Sequence, residues 1–111
     1  RVSVPVALDV PDERLPELLE ATAYYIASEA LTNVAKHAQA TCATLTIERD
    51  GAVLRCTIGD DGRGGADPAS GSGLLGLRDR AEAIGGTLSF VSPPGRGTTI
   101  VAALPLSSAD L

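Results

Sequence analysis

The sequence predicts a two-layer α/β sandwich, in which helices cover one face of a mixed sheet of about five strands. Three observations lead to this fold class. The segments follow one another in the order strand, helix, hairpin, loop, helix and hairpin. The first hairpin alternates between apolar and polar residues, so the sheet has one apolar face. Both helices need an apolar partner, and we expect them to cover that face.

Composition limits the classes of function. The chain has 111 residues, of which 44% are hydrophobic and 21% charged, as in one globular domain. Its net charge of −5 argues against nucleic acid or an anionic membrane as a partner. The sequence contains no apolar run near the roughly 20 residues of a membrane span. The first residue is Arg rather than Met, so we interpret residues 1–111 as one domain of a longer chain.

The first strand and the first helix precede the hairpin. Residues 2–10 alternate weakly and contain Pro5, which predicts an edge strand. A long helix is predicted from Pro16 to about Ala38, with acidic residues near its start. One stripe of this helix is expected to be apolar: Ala27, Leu31, Val34 and Ala38. The opposite side is expected to carry Glu29, Asn33, Lys36 and His37.

The first hairpin is predicted around Asp50 and Gly51, a strong turn signal. A loop of these two residues places Ile47 opposite Leu54 and Leu45 opposite Cys56. The same register puts Leu45, Ile47, Leu54, Cys56 and Ile58 on one face. Cys42 then lies three residues away on the other face, so we expect no disulfide. Two unpaired cysteines are typical of a reducing, cytoplasmic compartment.

The second half is predicted to consist of a loop, a helix and a hairpin. Residues 60–73 have the glycine, serine and proline content of a loop. Residues 74–86 predict a helix that ends at Gly85 and Gly86. Residues 87–92 and 98–106 predict two strands joined by a glycine-containing turn.

Three polar features allow both a structural and a functional interpretation. The polar side of the first helix is either a solvated face or a ligand site, where Glu29 and Asn33 hold a hydrated Mg²⁺ ion or a reacting hydroxyl. The stretch "DDGRGG" at 60–65 is either a turn or a place where a ligand approaches bare backbone. "GSGLLG" at 71–76 has the G-x-G-x-x-G spacing but does not follow a strand, so it fails as a dinucleotide fingerprint. A glycine-rich loop leading into a helix N-terminus still attracts anions.

Four motifs taken together carry a resemblance: "EALTNVAKHA", "GDDGRGG", "GSGLLGLRDRAEAIGG" and "GRGTTIVAALP". In this order and at these gaps they resemble the ATP-binding domain shared by sensor histidine kinases, Hsp90 chaperones and type II topoisomerases. The short-lidded, nitrate-sensor-type branch of the histidine kinases is the most similar. The similarity extends from Thr22 to Pro105. It implies the Bergerat ATP-binding fold, with ATP and Mg²⁺ as cofactors.

At the adenine end, the resemblance implies that Asp60 accepts a hydrogen bond from the adenine amino group. Gly62 and Gly64 would leave room for the base. Thr98 would reach the same pocket through a water molecule shared with Asp60. Asp61 is expected to be only a turn residue.

At the phosphate end, the resemblance implies that Asn33 ligates Mg²⁺ and that Glu29 orients or deprotonates the phosphoryl acceptor. Gly71 and Gly73 would form a mobile lid. Further contacts with the nucleotide are expected from Lys36, His37, Leu74 and Gly76. His37 is not expected to be the phosphorylated histidine, because it lacks the acidic neighbour that usually follows an acceptor.

The implied function is that of a histidine kinase catalytic domain. It would bind ATP or ADP with Mg²⁺ and pass the γ-phosphoryl group to a histidine on a dimerisation domain of the same protein, with a response regulator as the later acceptor. We expect the isolated domain to be a monomer, the parent a homodimer, and the location cytoplasmic. Three alternatives remain: an anti-sigma-factor-type serine kinase, an ATP-gated clamp, and a non-enzymatic binding module of the same fold.

Overall fold

The computed structural model describes residues 6–9, 15–33, 40–65 and 73–106. These residues form five strands, namely β1 (Val6–Asp9), β2 (Ala43–Asp50), β3 (Val53–Asp60), β4 (Thr87–Val91) and β5 (Thr98–Pro105). They also form two helices, α1 (Glu17–Asn33) and α2 (Leu74–Ala83). The strands make one sheet in the order β1-β2-β3-β5-β4. Because β1 is parallel to β2 and the other pairs are antiparallel, the sheet is mixed. The predicted five-stranded mixed sheet and its edge strand at residues 6–9 are confirmed.

Both helices lie on one face of the sheet. α1 contacts β3 and β5, while α2 contacts β4 and β5. The pairs Leu54–Leu104 and Ile58–Ile100 of neighbouring strands turn toward them and are buried. This arrangement confirms the predicted two-layer sandwich, because the alternation along each strand gives one apolar face to the helices.

The buried stripe of α1 differs from the predicted one. It consists of Leu19, Thr22, Ala23, Ile26, Ala27 and Ala30. Leu31, expected at its centre, is only half-buried, while Val34 and Ala38 lie outside the described residues. Asn33 follows Ile26 by seven residues and Ala30 by three, so it continues the buried stripe instead of lying opposite it. The predicted faces are therefore confirmed at Ala27, which is buried, and at Glu29, which is exposed, but they were wrong for Leu31 and Asn33.

The start of α1 agrees with the predicted acidic first turn. Glu17 and Glu20 lie in that turn. The Glu20 carboxylate also accepts a hydrogen bond from the backbone N–H of Leu15 at 3.2 Å. Negative charge at a helix N-terminus is favourable because it opposes the helix dipole. The predicted end near Ala38 lies outside the described residues.

The β2–β3 hairpin has the predicted faces but not the predicted register. Asp50 pairs with Val53, so the loop consists of Gly51 and Ala52 rather than Asp50 and Gly51. Ile47 therefore lies opposite Cys56, not Leu54. Because each partner moves by two residues, every side chain keeps its face. Gly51, with φ 63°, adopts the left-handed conformation that this tight loop requires.

The two cysteines lie in different surroundings, and both are free. Cys56 is buried in the core, and burial raises the pKa of its thiol to about 11. Cys42 is exposed just before β2. Within the described ranges, neither helix is long and apolar enough to cross a membrane.

The end of α2 follows the glycine signal in the sequence. Gly85 adopts φ 83°, and its N–H donates to the carbonyl of Glu82 at 3.0 Å. The N–H of Gly86 donates to the carbonyl of Ala81 at 2.9 Å. These two bonds form a Schellman motif, which closes the helix as predicted.

Candidate nucleotide-binding site

The first part of the site is formed where two neighbouring strands meet. Asp60 is the last residue of β3, and it pairs with Thr98, the first residue of β5. Both are half-buried. The hydroxyl groups of Thr98 and Ser92 are hydrogen-bonded at 2.6 Å, which fixes the Thr98 side chain. The ladder thus places the two residues that the sequence predicted for the adenine pocket side by side.

The Asp60 carboxylate is held by the turn that follows it. Its Oδ1 atom accepts a hydrogen bond from the N–H of Gly62 at 2.8 Å. Among the described residues, no donor is hydrogen-bonded to Oδ2. A half-buried carboxylate with one oxygen anchored and the other available can accept a hydrogen bond from a ligand.

Two glycine-containing loops lie against each other beside this carboxylate. The N–H of Gly65 donates to the carbonyl of Ser92 at 2.7 Å, and the N–H of Gly95 donates to the carbonyl of Arg63 at 2.6 Å. The loop after β3 is therefore fastened to the loop between β4 and β5. Backbone hydrogen bonds thus hold the two loops together at this edge of the site.

Two glycines of these loops, Gly64 and Gly97, have no room for a side chain. A Cβ atom at Gly64 would collide with the carbonyl oxygen of Pro93, and one at Gly97 would collide with the carbonyl oxygen of Asp60. Both residues also have positive φ, 63° and 78°. The space that a side chain at Gly64 would take is thus occupied by protein backbone, and contact of Gly64 with a base stays a prediction. Gly97 brings its loop directly against Asp60.

Asp61 has a defined structural role, and the expectation that it is only a turn residue was too weak. Its Oδ1 atom accepts hydrogen bonds from the N–H groups of Thr41 at 2.8 Å and Cys42 at 3.0 Å. Its Oδ2 atom accepts a third from the Thr41 hydroxyl. These bonds, led by the one from the Thr41 hydroxyl, lower the pKa of Asp61 to about 2. In turn, the negative charge of Asp61 is the main cause that raises the pKa of Cys42.

The second part of the site is formed where the two helices meet. Asn33 is the last described residue of α1, and its Nδ2 atom lies 3.7 Å from the position that a Cβ atom of Gly73 would occupy. Gly73 is the N-cap of α2, with φ 82° and no side-chain capping hydrogen bond. Leu74 turns its side chain into the core. Glu29, one turn before Asn33, is exposed.

Both parts lie at the same end of the sandwich. The opposite end carries an apolar groove of about 110 Å³, which is lined by the start of α1, the end of α2 and the end of β5. The other ends of these elements are Asn33, Gly73 and Thr98, and they therefore lie at the end of the sandwich opposite the groove. A helix N-terminus beside an acidic strand end provides separate places for an anion and for a hydrogen-bond donor.

The described part of the chain contains most of the predicted site residues. They are Glu29, Asn33, Asp60, Gly62, Gly64, Gly73, Leu74, Gly76 and Thr98. Lys36, His37 and Gly71 lie outside the described residues. Three further residues make defined contacts here that the sequence did not predict, namely Asp61, Ser92 and Gly97. Only Gly97 had a sequence signal, the glycine before Thr98 in "GRGT".

This arrangement is that of an ATP-binding domain of the Bergerat type, and the sequence comparisons agree. A family profile described as histidine kinase-, DNA gyrase B- and HSP90-like ATPase matches residues 19–108. The chain belongs to this family.

Similar proteins point to one branch of the family. The chain is 37% identical to the sensor histidine kinase YxjM of Bacillus subtilis over 99% of its own length and 28% of that protein. It is 30% identical to the sensor histidine kinase LiaS of the same species, covering 93% of the chain and 29% of the relative. It thus spans less than a third of the length of these relatives.

The fold matches solved structures of the same class. The blue-light activated histidine kinase EL346 of Erythrobacter litoralis superposes with a TM-score of 0.84 at 24% identity, over 100% of this chain and 38% of that one. The histidine kinase AdeS of Acinetobacter baumannii gives a TM-score of 0.77 at 13% identity, over 96% of this chain and 56% of that one. At these identities the likeness shows the fold alone.

Proposed function

We propose that the chain is the catalytic domain of a two-component sensor histidine kinase. It binds Mg²⁺–ATP and transfers the γ-phosphoryl group to a histidine on a dimerisation domain of the same protein. One observation carries this proposal: the strand pair Asp60–Thr98 and the neighbouring helix ends Asn33 and Gly73 lie at the same end of the sandwich. The sensor histidine kinases among the relatives support it.

At the adenine end, Asp60 selects the base. Its Oδ1 atom is engaged with Gly62, so Oδ2 accepts the hydrogen bond from the adenine amino group. Guanine carries an oxo group at that position, and two acceptors facing each other are unfavourable. Thr98 lies beside Asp60 and completes the pocket through a shared water molecule.

At the phosphate end, the N-terminus of α2 attracts the negative charge. Gly73 provides no side-chain cap, and the dipole of α2 favours an anion at this end. Backbone groups of Gly71, Gly73, Leu74 and Gly76 are the proposed contacts, together with Lys36 and His37. Gly71 and Gly73 belong to the lid, which is short in the branch that the sequence resembles.

The residues present suit Mg²⁺ bound mainly through phosphate oxygens. Among the described residues there is no cluster of three or more histidine, cysteine or acidic side chains. Mg²⁺ typically uses one or two protein ligands and fills its remaining positions with phosphate and water oxygens, so Asn33 suffices as the proposed ligand. When bound, Mg²⁺ neutralises charge on the phosphates. Glu29, exposed one turn away, orients or deprotonates the acceptor histidine.

The proposed partners follow from this reaction. The acceptor histidine resides on a dimerisation domain elsewhere in the parent protein, which makes the parent a homodimer and this domain a monomer by itself. A response regulator takes the phosphoryl group afterwards, and the domain works in the cytoplasm.

Phosphoryl transfer in trans tests the proposal. The chain is titrated with Mg²⁺–ATP in a calorimeter, then mixed with γ-labelled ATP and the dimerisation domain of a similar sensor histidine kinase. We expect ATP binding and label on the acceptor. Glu29→Gln should bind ATP normally but transfer about a hundredfold more slowly, as for loss of a general base. Glu48→Gln, an exposed glutamate on β2, serves as the control.

The outcomes separate the alternatives. Absence of ATP binding by the unmodified chain contradicts a nucleotide site. Binding without transfer to any histidine acceptor favours the clamp or the binding module, and transfer to a serine favours the anti-sigma-factor-type kinase. Equal transfer by Glu29→Gln and Glu48→Gln contradicts the role of Glu29.

Asn33→Ala is expected to weaken nucleotide binding about tenfold when Mg²⁺ is present and much less in EDTA. The reason is that the amide oxygen contributes through the metal ion, and removing such a ligand costs affinity for the metal complex. Paired titrations of ADP with Mg²⁺ and with EDTA measure the difference. Equal losses under both conditions would show that Asn33 acts structurally, through its contact with the start of α2.

A further inference from the structure

We propose that Asp61 is a positioning residue of the nucleotide site, which joins the segment after β3 to the segment before β2 and thereby sets the placement of Asp60. The proposal rests on the function above, since it concerns the same pocket. It gives the two adjacent aspartates different tasks. Asp60 reads the base, and Asp61 holds Asp60 where it can do so.

The two carboxylates are engaged with different parts of the chain. The Asp60 carboxylate accepts a hydrogen bond from the N–H of Gly62, two residues later in the chain. The Asp61 carboxylate accepts hydrogen bonds from Thr41 and Cys42, which precede it by about 20 residues. Side chains of consecutive residues in extended backbone point to opposite sides, so the adjacent carboxylates at this strand end can contact two different segments. Because the tasks are separate, each can be removed without removing the other.

The side chain of Asp61 makes most of the connection between these segments. The backbone contributes one long hydrogen bond, from the N–H of Asp61 to the carbonyl of Cys42 at 3.4 Å. The carboxylate adds three, from the two backbone N–H groups and the Thr41 hydroxyl. Hydrogen bonds to an ionised acceptor are about twice as strong as neutral ones. The carboxylate is thus the main fastening between residues 41–42 and the end of β3.

The joined segments belong to the two halves of the site. Residue 43, which directly follows the fastened pair, lies opposite Asp60 in the ladder. On its other side, Thr41 connects through residues 34–40 to Asn33 at the end of α1. Asp60 is held from β5 by Gly97, whose α-carbon lies against the Asp60 carbonyl. Asp61 provides the corresponding hold from the β2 side, so the position of the Asp60 carboxylate depends on both neighbours.

Discrimination between ATP and inosine triphosphate tests this role. The two nucleotides differ at the amino group that Asp60 is proposed to read, so the ratio of their dissociation constants reports on placement of that carboxylate. We expect Asp61→Ala to weaken ATP binding about tenfold, as for removal of an outer partner that orients a binding group. Inosine triphosphate should be affected much less, so the ratio falls. A purely structural loss would weaken both nucleotides alike and leave the ratio unchanged.

Two further variants keep the test decisive. Asp61→Asn retains an acceptor oxygen for the two N–H groups and should recover most of the ratio. Thr41→Val removes one hydrogen bond and should have a small effect in the same direction, even where Asp61→Ala fails to fold. Asp50→Ala is the matched control, because it removes an exposed aspartate with an ion pair to Arg55 at the other end of the same hairpin.

Amide hydrogen exchange tests the positioning role of Asp61 in the absence of nucleotide. The N–H groups of Thr41 and Cys42 should exchange faster in Asp61→Ala than in the unmodified chain, and normally in Asp50→Ala. Unchanged exchange there, or an unchanged nucleotide ratio in a chain that binds ATP, overturns the positioning role. Failure of the unmodified chain to bind ATP would instead contradict the proposed function, while the exchange result still decides whether Asp61 fastens the two segments.

Discussion

Asp60→Asn is expected to weaken ATP binding about ten- to a hundredfold, the cost of losing a hydrogen bond of about 1.5–3 kcal/mol to a charged acceptor. The structure specifies how this happens. Since Oδ1 of Asp60 accepts the N–H of Gly62, the amide oxygen of the variant should keep that place. The amide nitrogen then occupies the position of Oδ2 and presents a donor to the adenine amino group, which is itself a donor.

The same geometry predicts a change in base preference. An amide donor at this position suits an oxo group, so Asp60→Asn should lose its preference for ATP over inosine triphosphate. Calorimetric titration with both nucleotides measures it, and Asp50→Asn provides the control at the far end of the hairpin. Binding of ATP by Asp60→Asn at the affinity of the unmodified chain would show that Asp60 does not read the base.

Gly97→Ala is expected to lower the free energy of unfolding by about 2–5 kcal/mol. Two costs combine here. The left-handed conformation, with φ 78°, costs an alanine about 1–2 kcal/mol, and forcing a Cβ atom into a filled space costs about 1–3 kcal/mol more. The collision is with the carbonyl oxygen of Asp60, so the strand end that carries the Asp60 carboxylate must shift. ATP binding should therefore weaken together with stability.

Gly95 supplies a matched control for this prediction. It lies in the same loop with the same φ of 78°, but a Cβ atom there would meet nothing within 4 Å. Gly95→Ala should thus show only the conformational cost of about 1–2 kcal/mol and bind ATP nearly as the unmodified chain does. Urea unfolding of the two variants measures the difference. Equal losses would mean that the collision is relieved without cost and that Gly97 does not determine the placement of Asp60.

Some residues of the site could be predicted from the sequence, and others could not. Asp60, Asn33 and Thr98 could be named because they stand in motifs whose order resembles a known family. Asp61 could not be assigned its role, because its partners Thr41 and Cys42 precede it by about 20 residues. Gly97 and Asp60 are still further apart in the chain, so their contact exists only once β3 and β5 pair.

The order of the elements, the faces of the strands and the end of α2 could all be predicted from the sequence. These depend on local rules, since alternation with a period of two assigns each strand residue to a face, and a glycine of positive φ ends a helix. The hairpin register and the buried stripe of α1, in contrast, depend on contacts between elements that are distant in the chain. A shift of two residues leaves every face unchanged, so the apolar pattern is compatible with either loop, and pairing selects Asp50 with Val53. The alanines of α1 occur on several sides, so only its packing on β3 and β5 determines that Ile26 and Ala30 are buried and that Asn33 reaches Gly73.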